Sequence, residues 1–318
     1  MAYDPGYRTA GKLACAAVSI LLYGTSSGSA APLLGTDLAS FAVLGASTVT
    51  NVPTSTVVGS VGVSPGSAIT GFNSSPGVAT ADPQVTGGTV QATTAVAGQG
   101  HIQLGNAIVN LGLMGAGTLL SADLVGLTLF PGVYTVPAGV SNLTGTVTLN
   151  GQGNANAAWV FQMASTLITS SGSVVNVINT GSGAGVFWDV GSSATLGTTT
   201  SFQGNILALQ SITLNTGATI GCGRALAENG AVTMDQNTIG TGCDRTTGGQ
   251  GSNGFSGGLS VATGASGETP AFLPFADVNG AIPEPASLPI FVAGLVGLAL
   301  ALRRRVTAGP GAFFKSTC

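Results

Sequence analysis

The chain has 318 residues, with only 8 Lys+Arg and 11 Asp+Glu, 51 glycines and 44% apolar residues. So few cations exclude a basic nucleic-acid binder, which needs a positive footprint to neutralise phosphates. The apolar content excludes a charged disordered tail. The glycines follow no three-residue period, so the chain is not collagen-like, and the Gly, Ser, Thr and Val content disfavours long helices.

Residues 1–30 read as a secretory signal. Arg8 and Lys12 give a positive start, and Leu13 to Leu22 forms a short apolar core. Ser26-Ser27-Gly28-Ser29-Ala30 then supplies the small residues that signal peptidase requires, with cleavage expected after Ala30. The apolar run is too short for a transmembrane span.

The stretch 36–72 reads as short strands, Phe41–Leu44, Ser47–Thr50, Thr56–Gly59 and Ala68–Gly71, punctuated by Gly and Pro. Farther on, Ala97, His101, Leu104, Ile108 and Leu111 recur at three- and four-residue spacing. That period predicts a helix over roughly 89–114. Gly98, Gly100, Gly105 and Gly112 weaken it by up to ~1 kcal/mol each.

From 143 onward short alternating segments recur. One set is Thr146–Asn150, Ser165–Thr169, Ser193–Gly197, Ser211–Asn215 and Ala231–Asp235, with Leu149, Leu167, Leu196, Leu214 and Met234 as inward markers. A second set is Ser173-Val174, Ser201-Phe202, Thr219-Ile220 and Thr238-Ile239. A third is apolar on both parities: Trp159–Phe161, Val186–Trp188, Ile206–Leu209 and Ala225–Ala227. Three strand sets per ~18–20 residues make a triangular coil, and stacked coils make a β-solenoid. A strand apolar on both faces is buried on both, so the third sheet needs a cover, and the predicted helix supplies it.

Cys15 leaves with the signal and Cys318 with the tail, so Cys222 and Cys243, one coil apart, are the pair an exported protein would bond. Two thiols with no nearby histidine make no zinc site. Residues 31–245 are read as the solenoid domain and 246–282 as a Gly/Ser-rich linker. Removing both ends leaves 9 acids and two bases, Arg224 and Arg245.

The end of the chain carries its own signal. Pro283-Glu284-Pro285 precedes an apolar run, 288–302, and then Arg303-Arg304-Arg305. The order of motif, short apolar span and arginines resembles the PEP-CTERM sorting signal of Gram-negative bacteria. The resemblance implies transient membrane insertion through 288–302, recognition by an exosortase, and export across the inner membrane to the envelope, cell surface or extracellular matrix. Here a tail, 306–318, continues past the arginines, unlike the usual pattern.

Several stretches in order resemble a known family. Leu34–Gly45, Gly62–Phe72, Leu127–Tyr134, Ala158–Gln162, Val186–Gly197 and Gly204 to Met234 are similar to the bacterial and fungal ice-binding proteins of β-solenoid type. The resemblance spans about 34–240. It implies a mainly β fold, a right-handed discontinuous β-helix of triangular cross-section with one α-helix along one face, whose N-terminal strands complete coils with C-terminal ones. It also implies adsorption to ice, slowing its growth or recrystallisation.

An ice-contacting surface must be flat, rigid and regularly studded with methyls and hydroxyls. Thr supplies one of each on a stiff side chain. Two faces qualify. The favoured one carries Ser170, Ser173, Thr198, Ser201, Thr216, Thr219 and Thr238, and its Thr216-Gly217-Ala218-Thr219 resembles the Thr-Ala/Gly-x-Thr/Asn pattern of some family members. The alternative carries Thr148, Thr166, Thr195, Thr213 and Thr233. Thr ladders also arise simply because Thr favours strands. An enzyme is not expected: Asp189, Glu228 and Asp235 are the only acids that group, Arg224 is the only base nearby, and Asp189 is read as capping a turn. His101, the only histidine, is read as a helix-packing residue. No cofactor, metal or nucleic acid is expected. The competing reading is a matrix or adhesive protein that binds exopolysaccharide, which the sorting signal also suits.

Overall fold

The computed structural model describes residues 30–243, 251–264 and 267–278. The expected leader before Ala30, the sorting motif with its apolar run 288–302, and the tail 306–318 lie outside the described residues. Among the described residues no helix is long and apolar enough to cross a membrane.

Three parallel sheets wrap one core. The covered sheet runs through Gly132–Val136, Ala158–Met163, Gly185–Val190, the later parts of Ser201–Ala208 and Thr219–Ala227, then Phe41–Gly45, Ser60–Val63 and Val90–Ala92. A first open sheet runs through Thr128–Leu129, Thr146–Asn154, Val174–Thr180, residues 201–203, residues 219–221, Thr238–Gly240, Thr56–Val58 and Val85–Thr86. A second open sheet orders Leu167–Ile168, Ala194–Leu196, Ile212–Leu214, Val232–Asp235, Thr48–Val52 and Ala68–Thr70. In each sheet an N-terminal strand docks on a C-terminal one: Val43 on Ala225, Val49 on Val232 and Thr56 on Thr238. The β-helix is therefore discontinuous in sequence.

The alternating strands bury one parity. In the open sheets Val147, Leu149, Val175, Val177, Phe202, Ile220 and Ile239 point inward and are nearly inaccessible. In the covered sheet both parities are buried. Trp159, Phe161, Val186, Trp188, Ile206 and Ala225 enter the solenoid core. Val160, Phe187, Leu207 and Leu226 face outward into a second core with Leu104, Ala107 and Leu111. Register stacks Tyr134 on Phe161 and Phe161 on Trp188, with ring centroids 5.7 and 4.0 Å apart. Each indole N–H finds a carbonyl: Trp159 Nε1 donates to Leu129 O at 3.2 Å, and Trp188 Nε1 to Gln203 O at 3.1 Å.

Short helix α1 (Thr36–Ala39) precedes the solenoid, and α2 (Ala95–Gly112) covers the third sheet. Helix α2 starts later than its apolar period predicts. Val90–Ala92 pairs with Ser60–Val63 as a strand, Thr93 takes φ 54°, and Thr94 Oγ1 then caps by accepting from Ala97 N at 3.1 Å.

Two strands pass from the first open sheet to the covered sheet without a break. Gly204 (φ 104°) and Gly223 (φ 152°) pair at this corner, where a Cβ on Gly204 would meet Val186 Cγ1 at 2.6 Å. Cys222 stands beside this corner and is disulfide-bonded to Cys243 in the next coil, with a Cα separation of 5.1 Å.

The linker expectation for 246–282 is corrected over the described part, 251–264 and 267–278. Phe255, Leu259 and Val261 are buried. Leu259–Gly264 and Gly267–Phe272 form an antiparallel hairpin, whose first strand also pairs with Ala31–Pro32. The glycines serve close approach rather than freedom: a Cβ on Gly258 would lie 2.6 Å from Ala158 Cβ. Arg224 locks this segment down. Its side chain is fully buried and donates to Asn205 Oδ1 (2.8 Å), Ala39 O (2.7 Å), Gly254 O (3.2 Å) and Asn253 O (3.3 Å). Burial away from any carboxylate partner lowers its pKa to about 10.

Candidate functional site

The first open sheet presents one outward row across six strands. Thr146, Val174, Ser201, Thr219, Thr238 and Thr56 occupy equivalent positions in register. Thr146, Ser201, Thr238 and Thr56 are exposed, and Val174 and Thr219 are half-buried. Neighbouring strands set a repeat of roughly 4.8 Å along the row. Two residues farther along each strand, Thr128, Thr148 and Asn176 form a second row at one end. Toward the middle that row passes to Gly221 and Gly240, which leave the surface flat.

A further rank lies at the corner before this sheet. Thr198 and Thr216 are exposed there, and the Thr216 hydroxyl donates to Asp235. Backbone bonds tie the rank together: Thr199 N donates to Thr216 O at 3.1 Å and Gly217 N to Asp235 O at 3.0 Å.

Rigidity comes from buried polar groups under the corner. Thr200 and Thr169 share a hydroxyl hydrogen bond of 2.9 Å. Asn237 Nδ2 donates to Asn215 O and Ala218 O, each at 2.9 Å. Ser173 Oγ donates to Leu143 O at 2.7 Å. Each such bond satisfies a group that would otherwise be costly to bury.

These contacts correct part of the expected favoured face. Thr198, Ser201, Thr216, Thr219 and Thr238 gather on the corner and the first open sheet. Ser173 is inaccessible and belongs to the inner corner column with Thr200, Ala218 and Asn237. Val174 takes its outward slot. Ser170 is displaced with it, being half-buried and hydrogen-bonded to Ser141 Oγ at 3.1 Å.

The alternative face divides too. Thr195, Thr213 and Thr233 align on the second open sheet, and the ladder continues through Thr50 and Thr70. Thr148 belongs to the first open sheet, opposite Asn176. Thr166 stands two residues before the row, since Ile168 pairs with Thr195. Sequence reasoning missed Thr146, Thr56, Thr50 and Thr70. A readable signal existed: Thr56-Val57 repeats the Thr and β-branched pair of Thr219-Ile220 and Thr238-Ile239.

The acids do not converge. Asp189 sits mid-strand rather than at a turn, on the outward parity of the covered sheet beyond the end of α2. Burial raises its pKa to about 6. Glu228 faces His101 on α2 at 4.0 Å; burial raises the carboxyl pKa and lowers that of the imidazole. Asp235 lies at the corner with Thr216. Among the described residues no three His, Cys, Asp or Glu are grouped to hold a metal ion.

The architecture defines a class: a discontinuous β-solenoid with one sheet covered by a helix and two sheets open, one of them flat, uncharged and rich in Thr. Residues 43–240 match the family model described as Ice-binding-like. The chain is 41% identical over 279 residues to the ice-binding protein of Nostoc sp. (strain HG1), covering 87% of this chain and 88% of that one. It is 33% identical over 230 residues to that of Flavobacterium frigoris (strain PS1), covering 68% and 79%. The crystal structure of an ice-binding protein from an Antarctic biological consortium aligns with a TM-score of 0.57 at 39% identity, covering 66% of this chain and 90% of that one. That of the Antarctic ascomycete Antarctomyces psychrotrophicus aligns with a TM-score of 0.56 at 34% identity, covering 66% and 97%. This chain belongs to the ice-binding-like protein family.

Proposed function

We propose that this chain adsorbs to ice through the first open sheet and its corner, and thereby inhibits ice growth or recrystallisation. The observation that carries the reading is the outward row Thr146, Val174, Ser201, Thr219, Thr238 and Thr56, held in register across six coils and flanked by Thr198 and Thr216. Its side chains offer hydroxyls and methyls at a fixed repeat, which can order water into a lattice-like layer. The row holds no charge and no aromatic ring. The chemistry is adsorption rather than catalysis, in keeping with acids that lie apart and with relatives named for ice binding. Export, signal-peptide cleavage after Ala30, the Cys222–Cys243 bond in the exported protein, and delivery to the cell envelope through the 283–305 signal complete the proposal.

The second reading, a matrix protein that binds exopolysaccharide, is favoured by the sorting motif alone. Sugar binding usually recruits exposed rings, and the outward row offers none. The test is ice recrystallisation inhibition and thermal hysteresis of the oxidised chain, beside Thr219→Tyr and Thr213→Tyr. Loss in Thr219→Tyr with Thr213→Tyr active is the expected result. The reverse moves the site to the second open sheet. A folded wild type that leaves ice growth unchanged ends the ice reading, and polysaccharide binding is then tested.

A further inference from the structure

Beside the N-terminal strand lies a small cavity that nothing in the ice-contacting surface uses. It has a volume of about 130 Å³, and its polar lining comprises Gln103, Asn106 and Asn110 of α2 with Thr263 and Glu268 of the C-terminal hairpin, while Ala31 closes one side. Asn110 is only 3% exposed and donates through Nδ2 to Glu268 Oε2 at 2.6 Å. Its Oδ1 is buried and has no hydrogen-bond partner. Glu268 and Asn110 thus bring two acceptors to the wall, a placed carboxylate and an orphaned amide oxygen, beside the exposed amide of Asn106. Gln103 is held in place at the wall: one N–H of its Nε2 donates to Asp37 Oδ2 at 3.0 Å, and its Oε1 accepts from Leu38 N at 2.8 Å.

Such a lining calls for a cationic group with several N–H donors. The only Lys or Arg among the described residues is Arg224, which is engaged with Ala39, Asn205, Asn253 and Gly254. His101 faces Glu228 instead. Ala31, however, is fixed at the cavity by pairing with Val261, directly after the bond expected to be cut. Hydrolysis of the Ala30–Ala31 amide consumes one water, leaving a carboxylate on Ala30 and an ammonium on Ala31. An ammonium carries three donors and no acceptor, which complements this lining.

We infer that the cavity is the seat of the mature N-terminus: the α-ammonium of Ala31, released by processing, is held by Glu268 and Asn110 Oδ1. Processing then does more than remove a leader. It creates the cation that ties the first strand to α2 and to the C-terminal hairpin. This inference rests on the export reading for the source of the amine, and its test separates the two.

The exported protein is first sequenced from its N-terminus. A start at Ala31 is expected, and any other start overturns the assignment of the natural occupant. The chain from Ala31 onward is also prepared by releasing it from an N-terminal fusion, so the seat is tested whatever happens in the cell. Beyond Ala30 the sequence holds one lysine, Lys315, so the α-amine is easily resolved after labelling with ¹³C-formaldehyde. Its pKa is read by NMR in the wild type, Glu268→Gln and Asn110→Asp. The free α-amine titrates near 7.7–8.0. The expected wild-type value is higher by about one unit, about tenfold in proton affinity, with a return to the ordinary range in Glu268→Gln and a further rise in Asn110→Asp. The carboxylates near enough to contribute are Glu268 and, behind Gln103, Asp37, so Asp37→Asn serves as the control and is expected to change little. An α-amine that titrates in the ordinary range in the wild type, or is unmoved by Glu268→Gln, overturns the seat. Because the readout is a titration and not ice growth, it stands apart from the ice-binding test.

Discussion

Arg224→Met tests the claim that one buried cation clamps three parts of the chain. The substitution keeps most of the volume and removes five donors. Five acceptors stay behind: Asn205 Oδ1, Ala39 O, Gly254 O, Asn253 O and Asn253 Oδ1, at 2.7–3.4 Å from the guanidinium nitrogens. The two shortest bonds carry most of the interaction, and each orphaned buried acceptor costs about 1–3 kcal/mol. Part of this is offset because a charge no longer has to be desolvated. The net loss is about 3–4 kcal/mol, or roughly 10 °C in melting temperature for a domain of this size. The assay is urea unfolding at pH 7, with the midpoint expected to fall and the slope unchanged. Arg224 lies on the covered sheet, so ice recrystallisation inhibition in the cold, where the variant remains folded, is expected at wild-type level. A loss below about 1 kcal/mol would refute the clamp, since backbone carbonyls cannot be removed along with their partner.

Other perturbations give separable outcomes. Burial raises the Asp189 carboxyl from 3.8 to about 6, so the folded state binds its proton more tightly than the unfolded state does. Its contribution to stability is then fully present below pH ~4 and lost as pH rises through ~6, by at most about 3 kcal/mol. Asp189→Asn is therefore expected to unfold at higher urea above pH 6 and to match the wild type near pH 4; equal pH profiles would contradict this. Replacing Cys222 and Cys243 together by Ala opens a loop with a sequence separation of 21 and should lower stability by about 3 kcal/mol in the same urea assay. Asp235→Thr continues the corner rank beyond Thr198 and Thr216 and removes a carboxylate that hydrates strongly. Its expected effect is stronger recrystallisation inhibition at equal concentration, and unchanged inhibition would place the corner outside the contact.

The covered sheet was legible because Trp159–Phe161 and Val186–Trp188 are apolar on both parities, a pattern that demands a cover. The helical period of Leu104, Ile108 and Leu111 supplied that cover. The closing of coils by Phe41–Gly45 and Thr56–Val58 followed from family resemblance; spacing alone does not link residues so distant in the chain. The phase failed at Thr169-Ser170-Ser171-Gly172-Ser173-Val174, where almost every position offers a hydroxyl and none marks the outward side. Thr148 went to the wrong sheet because the early coils carry extra residues: Thr146–Asn154 and Val174–Thr180 run on before their chain turns toward the covered sheet. The 251–278 segment hid behind its composition. Its glycines looked like freedom, whereas Phe255, Leu259 and Val261 are anchors, and the glycines between them let the backbone lie against the solenoid.

The placement of these additions has a functional logic. Helix α2 packs on the covered sheet through Leu104, Ala107 and Leu111. The first strand pairs with the C-terminal hairpin, the hairpin is bonded to α2 through Glu268, and the turn before it is bonded to the covered sheet through Asn253 O and Gly254 O on Arg224. The helix, the hairpin and the buried guanidinium thus gather on one side of the triangle. The outward Thr rows of both open sheets stay in register, the bulges at Asn150/Asn154 and Phe202/Gln203 falling beyond the row. A flat adsorbing surface tolerates few protrusions, so stabilising devices must go elsewhere, and a triangular solenoid can give up one of its three sides to hold them. The same arrangement explains why weakening Arg224 should lower stability without altering the adsorbing face, whereas a bulky ring at Thr219 should abolish adsorption with little effect on stability.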